Sequence, residues 1–243
     1  MRNVVVTGGS RGLGLGIVRK LAGEYRVIAV ARKPTDQLTS AIETAGPAIQ
    51  GGIHFAPFDL ARIDEIAGFV RGLRKEFGPI YGLVNNAGVG FDGALSLMSN
   101  SRIEEMVRLN TISPIVLTKY VVRSMMSDGG GRIVNVASIT GFSGHSGLSV
   151  YSGTKASLIG FTRSLAREVG RMGVNVNAVA PGFVDTDMTS ELNPEQRQKI
   201  VRRSALRRLT EVDDVADAVH FLLSCQSKSI TGTVLTVDAG STA

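Results

Sequence analysis

A doubly wound α/β fold, with a single seven-stranded parallel sheet and helices on both faces, is predicted by three features of the sequence. Short β-branched runs alternate with amphipathic stretches along most of the 243 residues. A glycine-rich turn separates the first such run from the first amphipathic stretch. No low-complexity segment, linker or long internal repeat interrupts the alternation, so one domain spans 1–243. Strands joined by helices pair in parallel through right-handed crossovers, which places helices on both sides of the sheet.

The strands are read at Asn3 to Val6, Arg26 to Ala31, Ile53 to Ala56, Tyr81 to Asn85, Arg132 to Val136, Val174 to Ala180 and Thr233 to Val237. Helical spacing of apolar residues follows from Gly12, at Ile63, Ile66, Phe69, Val70 and Leu73, and at Val212, Val215, Ala216, Val219, Leu222 and Leu223. Two longer helical stretches run from Ser101 to Ser127 and from Tyr151 to about Met172. One connection is long. From Gly182 to about Leu209 the chain follows a strand yet carries its own small helix, with Asn193 as N-cap, Pro194 at N1 and Gln196 at N3. Insertions beyond the carboxyl ends of strands face the ligand crevice, so 183–209 is a substrate-lid candidate, the alternative being a surface excursion without function.

Composition removes several classes. Hydrophobic residues at 43% and charged residues at 20% exclude a disordered, collagenous or membrane-spanning chain. Aromatic residues at 5% and no Trp argue against a stacked-ring platform for single-stranded nucleic acid. The one cysteine, Cys225, is expected as a buried helix residue; it excludes an internal disulfide and a Cys-rich zinc site, and points to a reducing compartment. No metal site is expected. With no apolar run near the amino terminus long enough for a signal peptide, a cytoplasmic protein is expected, without membrane partners. The net charge of +6 suits nucleic acid, acidic cofactors and acidic carriers alike.

The turn Thr7-Gly8-Gly9-Ser10-Arg11-Gly12-Leu13-Gly14 lies between first strand and first helix. Glycines let the backbone approach a pyrophosphate, whose charge is stabilised by free amides at the helix start. Gly8, Ser10, Arg11, Gly12, Leu13 and Gly14 are therefore cofactor candidates. An acidic residue about 20 positions further on would bind the ribose of NAD. Here the second strand ends instead in Ala31-Arg32-Lys33. Arg32 offers a planar fork of donors to the 2′-phosphate of NADP, and Arg11 a second cation. Asp59, after the third strand, is placed either to touch an adenine amino group or to cap a helix. Asn86, Ala87 and Gly88 close the fourth strand at the same edge, either lining the adenosine side of the cofactor or bracing the sheet.

Tyr151 and Lys155 stand four apart on one helix face. A cation beside a phenol lowers its pKa and makes it a usable proton donor or acceptor. Ser138 follows the fifth strand, where its hydroxyl can orient a carbonyl oxygen beside Tyr151. Asn110 stands four before Pro114, which has no N–H, so the Asn110 carbonyl is freed from the helical ladder. A water held there would link Lys155 to bulk solvent, the alternative being a helix kink without a role.

Together, Thr7-Gly8-x-x-x-Gly12-x-Gly14, Asn85-Asn86-Ala87-Gly88, Asn110, Ser138, Tyr151-x-x-x-Lys155 and Pro181-Gly182 resemble the short-chain dehydrogenase/reductase family over essentially the whole chain. The resemblance implies a Rossmann fold, Tyr151 as acid, Lys155 on the nicotinamide ribose, Ser138 orienting substrate and Asn110 in a proton relay. It further implies that Pro181, Gly182, Val184 and Thr186 line the nicotinamide, and that the assembly is a homotetramer joined through the two long helices and the last strand. Within the family, the wording Gly-Arg132-Ile-Val, Leu165-Ala166-Arg167-Glu168, Ala180 to Met188 and Ile230-Thr231-Gly232 is similar to the 3-oxoacyl-(acyl-carrier-protein) reductases. In those proteins two surface arginines dock the carrier. Arg132 matches the first, whereas Met172 stands at the second, beside Arg171, and the tail reads Gly240-Ser241-Thr242-Ala243 in place of an apolar end. The function implied is NADPH-dependent reduction of a ketone, foremost a 3-oxoacyl thioester on acyl carrier protein or CoA. Alternatives are a sugar, polyol or steroid-like ketone, or a non-catalytic NADP- or nucleic-acid-binding protein using Arg202-Arg203-x-x-x-Arg207-Arg208. Ser138, Tyr151 and Lys155 together favour an enzyme, with no nucleic-acid partner.

Overall fold

Val4, Val5 and Val6 have no exposed surface, because the strand that holds them lies in the interior of a sheet covered on both faces. The computed structural model describes residues 1–46, 51–184 and 194–243. Its sheet contains β1 (Asn3–Thr7), β2 (Arg26–Ala31), β3 (Ile53–Pro57), β4 (Ile80–Asn85), β5 (Gly131–Val136), β6 (Val174–Pro181) and β7 (Val234–Val237). All seven pair in parallel, in the order β3-β2-β1-β4-β5-β6-β7. Each agrees with its sequence-predicted span to within a residue at either end.

Side chains alternate along a strand, so two cores form. Val4, Val6, Val27 and Ala29 face α1 (Gly12–Leu21) and α8 (Val212–Leu223), packing with Ile17, Leu21, Val215 and Leu222. Val5, Ile28 and Val30 face the other way, toward α3 (Ile66–Phe77), α5 (Ser113–Ser127) and α6 (Ser149–Val169) through Val70, Leu73, Leu117, Val121 and Leu165. Helix α2 (Asp36–Ala45) follows β2, and α4 (Asn100–Val107) follows β4. The order of strands reverses between β1 and β4, and the crevice of such sheets opens at the carboxyl ends beside this reversal.

Two expectations change. The stretch from Ser101 to Ser127 is not one α-helix: a π turn at Arg108–Ile112 separates α4 from α5. Pro114 lies in the first turn of α5 and cannot donate to Asn110, and the chain widens so that Ser113 N–H bonds to Arg108 O. Cys225 is exposed, not buried in a helix. Helix α8 stops at Leu223 because Ser224 turns extended, and the Ser224 side chain accepts from Gln226 N at 3.2 Å, which turns Cys225 out to solvent.

In the long connection, α7 (Pro194–Arg203) begins with Pro194 as the sequence predicts. Asn193 and the Gln196 side chain lie outside the described residues. The returning chain is tied to the end of the sheet: Leu206 N–H donates to Ala239 O at 3.0 Å, and Thr210 forms a parallel bridge with Val184. Among the described residues no helix is long and apolar enough to cross a membrane, and no group of His, Cys, Asp and Glu is placed to hold a metal.

Candidate active site

The turn after β1 is built for a group that must come close. Gly8 and Gly12 take φ of +67° and +52°, in the left-handed region. A Cβ on Gly14 would lie 2.0 Å from Gly8 O, so no larger residue fits there. Gly8 N and Gly9 N both donate to Val30 O, at 2.8 and 3.3 Å, which holds the turn against β2. Arg11 is the extended residue before α1, and its side chain does not cap the helix; no acidic residue occupies the first turn. The amides at the helix start are thus left without a side-chain partner from the cap or an acidic group in the first turn. Ser10 contributes its carbonyl to the Thr35 hydroxyl, which itself caps α2, and Leu13 packs against the core. Arg32 and Lys33 are exposed just beyond β2 and form no ion pair among the described residues.

Beyond β4, the Asn86 side chain donates to Thr7 O at 2.9 Å and to Gly8 O at 3.4 Å, while Thr7 Oγ1 accepts from Asn86 N and Ala87 N, each at 3.0 Å. The Asn86 side chain therefore braces the glycine turn. Asp59 Oδ1 accepts from Ala61 N at 3.0 Å, which closes a local turn. At the exit of β6, Gly182 N–H donates to Val237 O at 2.9 Å, and a Cβ on Gly182 would crowd Asp238 at 2.8 Å. Pro181 ends β6, and Val184 is buried there; Thr186 lies outside the described residues.

Ser138, Tyr151 and Lys155 come together at the carboxyl edge of β5. Tyr151 and Lys155 lie on the first two turns of α6, and Lys155 Nζ stands 5.6 Å from the centre of the Tyr151 ring. Nζ donates to Val136 O at 2.8 Å, the last residue of β5. Ser138 Oγ accepts from Thr140 N at 3.2 Å, and the Ser138 side chain stands near enough to the Tyr151 phenol to pull its pKa downward. Burial pulls the Lys155 ammonium down to about 8. It pushes the Tyr151 phenol up to about 12, against a smaller downward pull from Ser138. The lowering of Tyr151 by Lys155 expected from the sequence is not what this arrangement produces. Desolvation of the phenolate dominates.

Asn110 is buried in the π turn, and its side chain is fully engaged. Oδ1 accepts from Val89 N at 2.9 Å, and Nδ2 donates to Val89 O at 2.8 Å and to Thr154 Oγ1 at 3.2 Å. Thr154 Oγ1 donates to Tyr151 O at 2.7 Å. Asn110 thus joins the loop after β4 to the first turn of α6. Val89 and Thr154 escape a reading by residue type, since one uses its backbone and the other a common hydroxyl. The clue available was Gly90, whose backbone lies against the Tyr151 ring, where an added Cβ would stand 3.5 Å away. The site residues Gly8, Arg32, Asp59, Asn86, Ser138 and Gly182 all follow the carboxyl ends of successive strands, so the fold gathers them on one edge. Arg132 lies at the opposite edge, donating to Asn175 Oδ1 at 2.8 Å, and Met172 is 40% exposed.

Comparison with known proteins agrees with this geometry. The family model for short chain dehydrogenase matches residues 2–197. The human 3-oxoacyl-(acyl-carrier-protein) reductase is 41% identical over 237 residues, covering 97% of this chain and 95% of the relative. The reductase FabG of Escherichia coli (strain K12) is 38% identical over 237 residues, with the same coverage of 97% and 95%. Among solved structures, a gluconate 5-dehydrogenase from Burkholderia cenocepacia J2315, in complex with NADP and tartrate, superposes with a TM-score of 0.93 at 25% identity, covering 99% of this chain and 95% of that one. A short-chain type dehydrogenase/reductase from Mycobacterium ulcerans gives a TM-score of 0.93 at 30% identity, covering 99% and 89%. With its sheet order, its glycine turn and these full-length relatives, the chain belongs to the short chain dehydrogenase family of oxidoreductases.

Proposed function

We propose that this protein reduces a ketone to a secondary alcohol with NADPH, and that its substrate is a 3-oxoacyl thioester on acyl carrier protein or CoA. The observation that carries the proposal is the meeting of Ser138, Tyr151 and Lys155 at one strand edge beside a glycine turn with an uncapped helix start. The curated relatives, at 34–41% identity, supply the thioester.

The residues present fit the dinucleotide. The space enforced at Gly14 and the free amides of α1 would take the pyrophosphate, with Ser10, Gly12 and Leu13 shaping the turn. Arg32 and Arg11 would meet the 2′-phosphate, Asp59 and Ala87 the adenosine, and Pro181, Gly182, Val184 and Thr186 the carboxamide. When bound, NADPH supplies a hydride to the carbonyl carbon. Ser138 holds the carbonyl oxygen. Tyr151, raised to about 12, keeps its proton at neutral pH and gives it to the oxygen as negative charge develops. Lys155 holds the nicotinamide ribose. Asn110 keeps the loop after β4 in place and supports the path by which the proton is replaced.

The segment 183–209 acts as the substrate lid. The homotetramer forms through α4, α5, α6 and β7, a reading supported by Val107 and Ile112, exposed at 37% and 41%, and by the edge position of β7. A second reading, reduction of a sugar-acid ketone, is favoured by Met172 in place of the second carrier arginine and by the likeness to the gluconate 5-dehydrogenase. A nucleic-acid role for the arginine cluster is disfavoured, since Arg208 pairs with Asp214 at 2.6 Å and Arg207 donates to Arg202 O.

The test is NADPH consumption with acetoacetyl-CoA, an acetoacetyl carrier protein and 5-ketogluconate, alongside the Tyr151→Phe variant. Turnover of a thioester by the wild type, lost in the variant while NADPH still binds, is expected. Thioesters left unreduced while the keto acid turns over would select the second reading. Substantial activity in Tyr151→Phe would remove the assignment of the acid.

A further inference from the structure

We propose that His145 is a specificity-determining residue that accepts a hydrogen bond from an N–H or O–H of the substrate beyond its reacting carbonyl. This rests on the reading that Ser138 and Tyr151 hold that carbonyl. The loop from Ile139 to Leu148 runs between these two residues, from the carboxyl end of β5 to the start of α6. One end is fastened to the loop after β4, where Gly93 N–H donates to Gly147 O at 3.0 Å. The other is fastened to the exit of β6, where the half-buried imidazole of His145 meets the Phe183 ring edge-on at 6.0 Å, with an angle of 70° between planes. His145 therefore stands where the loop beside the reacting groups meets the root of the segment that follows β6.

The proton on the imidazole is assigned by its neighbour. Ser143 has one hydroxyl proton, and it is given to Ile139 O at 2.7 Å. The contact of 3.2 Å between Ser143 Oγ and His145 Nε2 must then be Nε2–H donating to the serine oxygen. A neutral imidazole protonated at Nε2 carries a lone pair on Nδ1. Among the described residues no donor meets Nδ1, and it is not sealed from solvent as a buried orphan. The serine and the phenyl ring together fix the ring plane, so this lone pair is an oriented acceptor. The donors it would select are an amide N–H, such as that of a pantetheine arm, or the hydroxyl of a polyol chain.

Three variants separate the two nitrogens and the ring. His145→Asn places an amide oxygen near the Nδ1 position, His145→Gln keeps a donor near Nε2 for Ser143, and His145→Phe keeps only the ring against Phe183. Steady-state kinetics with NADPH would use S-acetoacetyl-N-acetylcysteamine, which has one amide N–H, 5-ketogluconate, which has hydroxyls, and ethyl acetoacetate, which has neither. Melting temperature and NADPH binding would be measured on each variant. We expect His145→Phe and His145→Gln to raise KM for whichever donor-bearing substrate is used by about tenfold, the upper range for one neutral hydrogen bond, with kcat within about threefold. His145→Asn should restore most of that loss, and ethyl acetoacetate should show no change in any variant. The response of the cysteamine thioester against that of the keto acid distinguishes the pantetheine amide from the polyol. Equal losses on ethyl acetoacetate, or no loss on any substrate, would overturn the role of His145 while leaving Tyr151→Phe to judge the reading beneath it.

Discussion

Asn110 holds both main-chain groups of Val89, accepting its N–H at 2.9 Å and donating to its carbonyl at 2.8 Å. The pair connects a π turn to a glycine-rich loop 21 residues away, and that loop lies against the Tyr151 ring. A side-chain amide has one acceptor and one donor face, so no other common side chain of this size can satisfy both groups at once.

Replacing Asn110 therefore disturbs more than a proton path. In Asn110→Ala, Val89 loses both partners in a partly buried site, at up to about 1–3 kcal/mol for each group left unsatisfied. A lower melting temperature together with at least a tenfold loss in kcat is expected. An unchanged melting curve would show that Val89 finds other partners.

Gly14→Ala should eliminate dinucleotide binding while leaving the rest of the sheet intact, because the added methyl would sit 2.0 Å from Gly8 O. The turn has to open, and the amides at the start of α1 then no longer converge. Calorimetric titration with NADPH and far-ultraviolet circular dichroism check the two halves of this outcome. Binding within about threefold of wild type would mean the turn adapts.

Arg32→Asp would set a carboxylate at the end of β2, the kind of residue that pairs with a free ribose in NAD-binding sheets. The ratio of kcat/KM for NADPH to that for NADH should fall by at least tenfold. No movement in that ratio would assign the 2′-phosphate to other residues.

The buried pair gives stability a defined dependence on alkaline pH. Lys155 is lowered from 10.5 to about 8, so between those values the unfolded chain binds the extra proton and stability rises with pH through that window. Tyr151 is raised from 10.0 to about 12; its contribution is fully present below 10.0 and is lost as pH climbs toward 12. Near neutral pH the buried Lys155 ammonium is thus a destabilising group. Lys155→Met should raise the urea midpoint by an amount equivalent to about 1–3 kcal/mol while removing turnover, one pKa unit being worth about 1.4 kcal/mol. A midpoint that falls would show that the bond from Nζ to Val136 O outweighs the desolvation.

Much of this molecule is set by short-range pattern. The unbroken apolar run Val4, Val5 and Val6 specifies a strand buried on both faces, the glycines at 8, 12 and 14 specify a turn that larger residues cannot adopt or fit, and Pro114 specifies an interruption of the helix four residues after Asn110. Such features follow from backbone sterics and donor count, which depend on neighbours in sequence. The tertiary structure decided the rest. It directed the Asn86 side chain to the glycine turn, Asn110 to Val89, Lys155 to Val136 O and Cys225 to solvent. It also reversed the expected direction for the Tyr151 phenol, because desolvation depends on how many distant segments close over a group, and residue spacing carries no record of that.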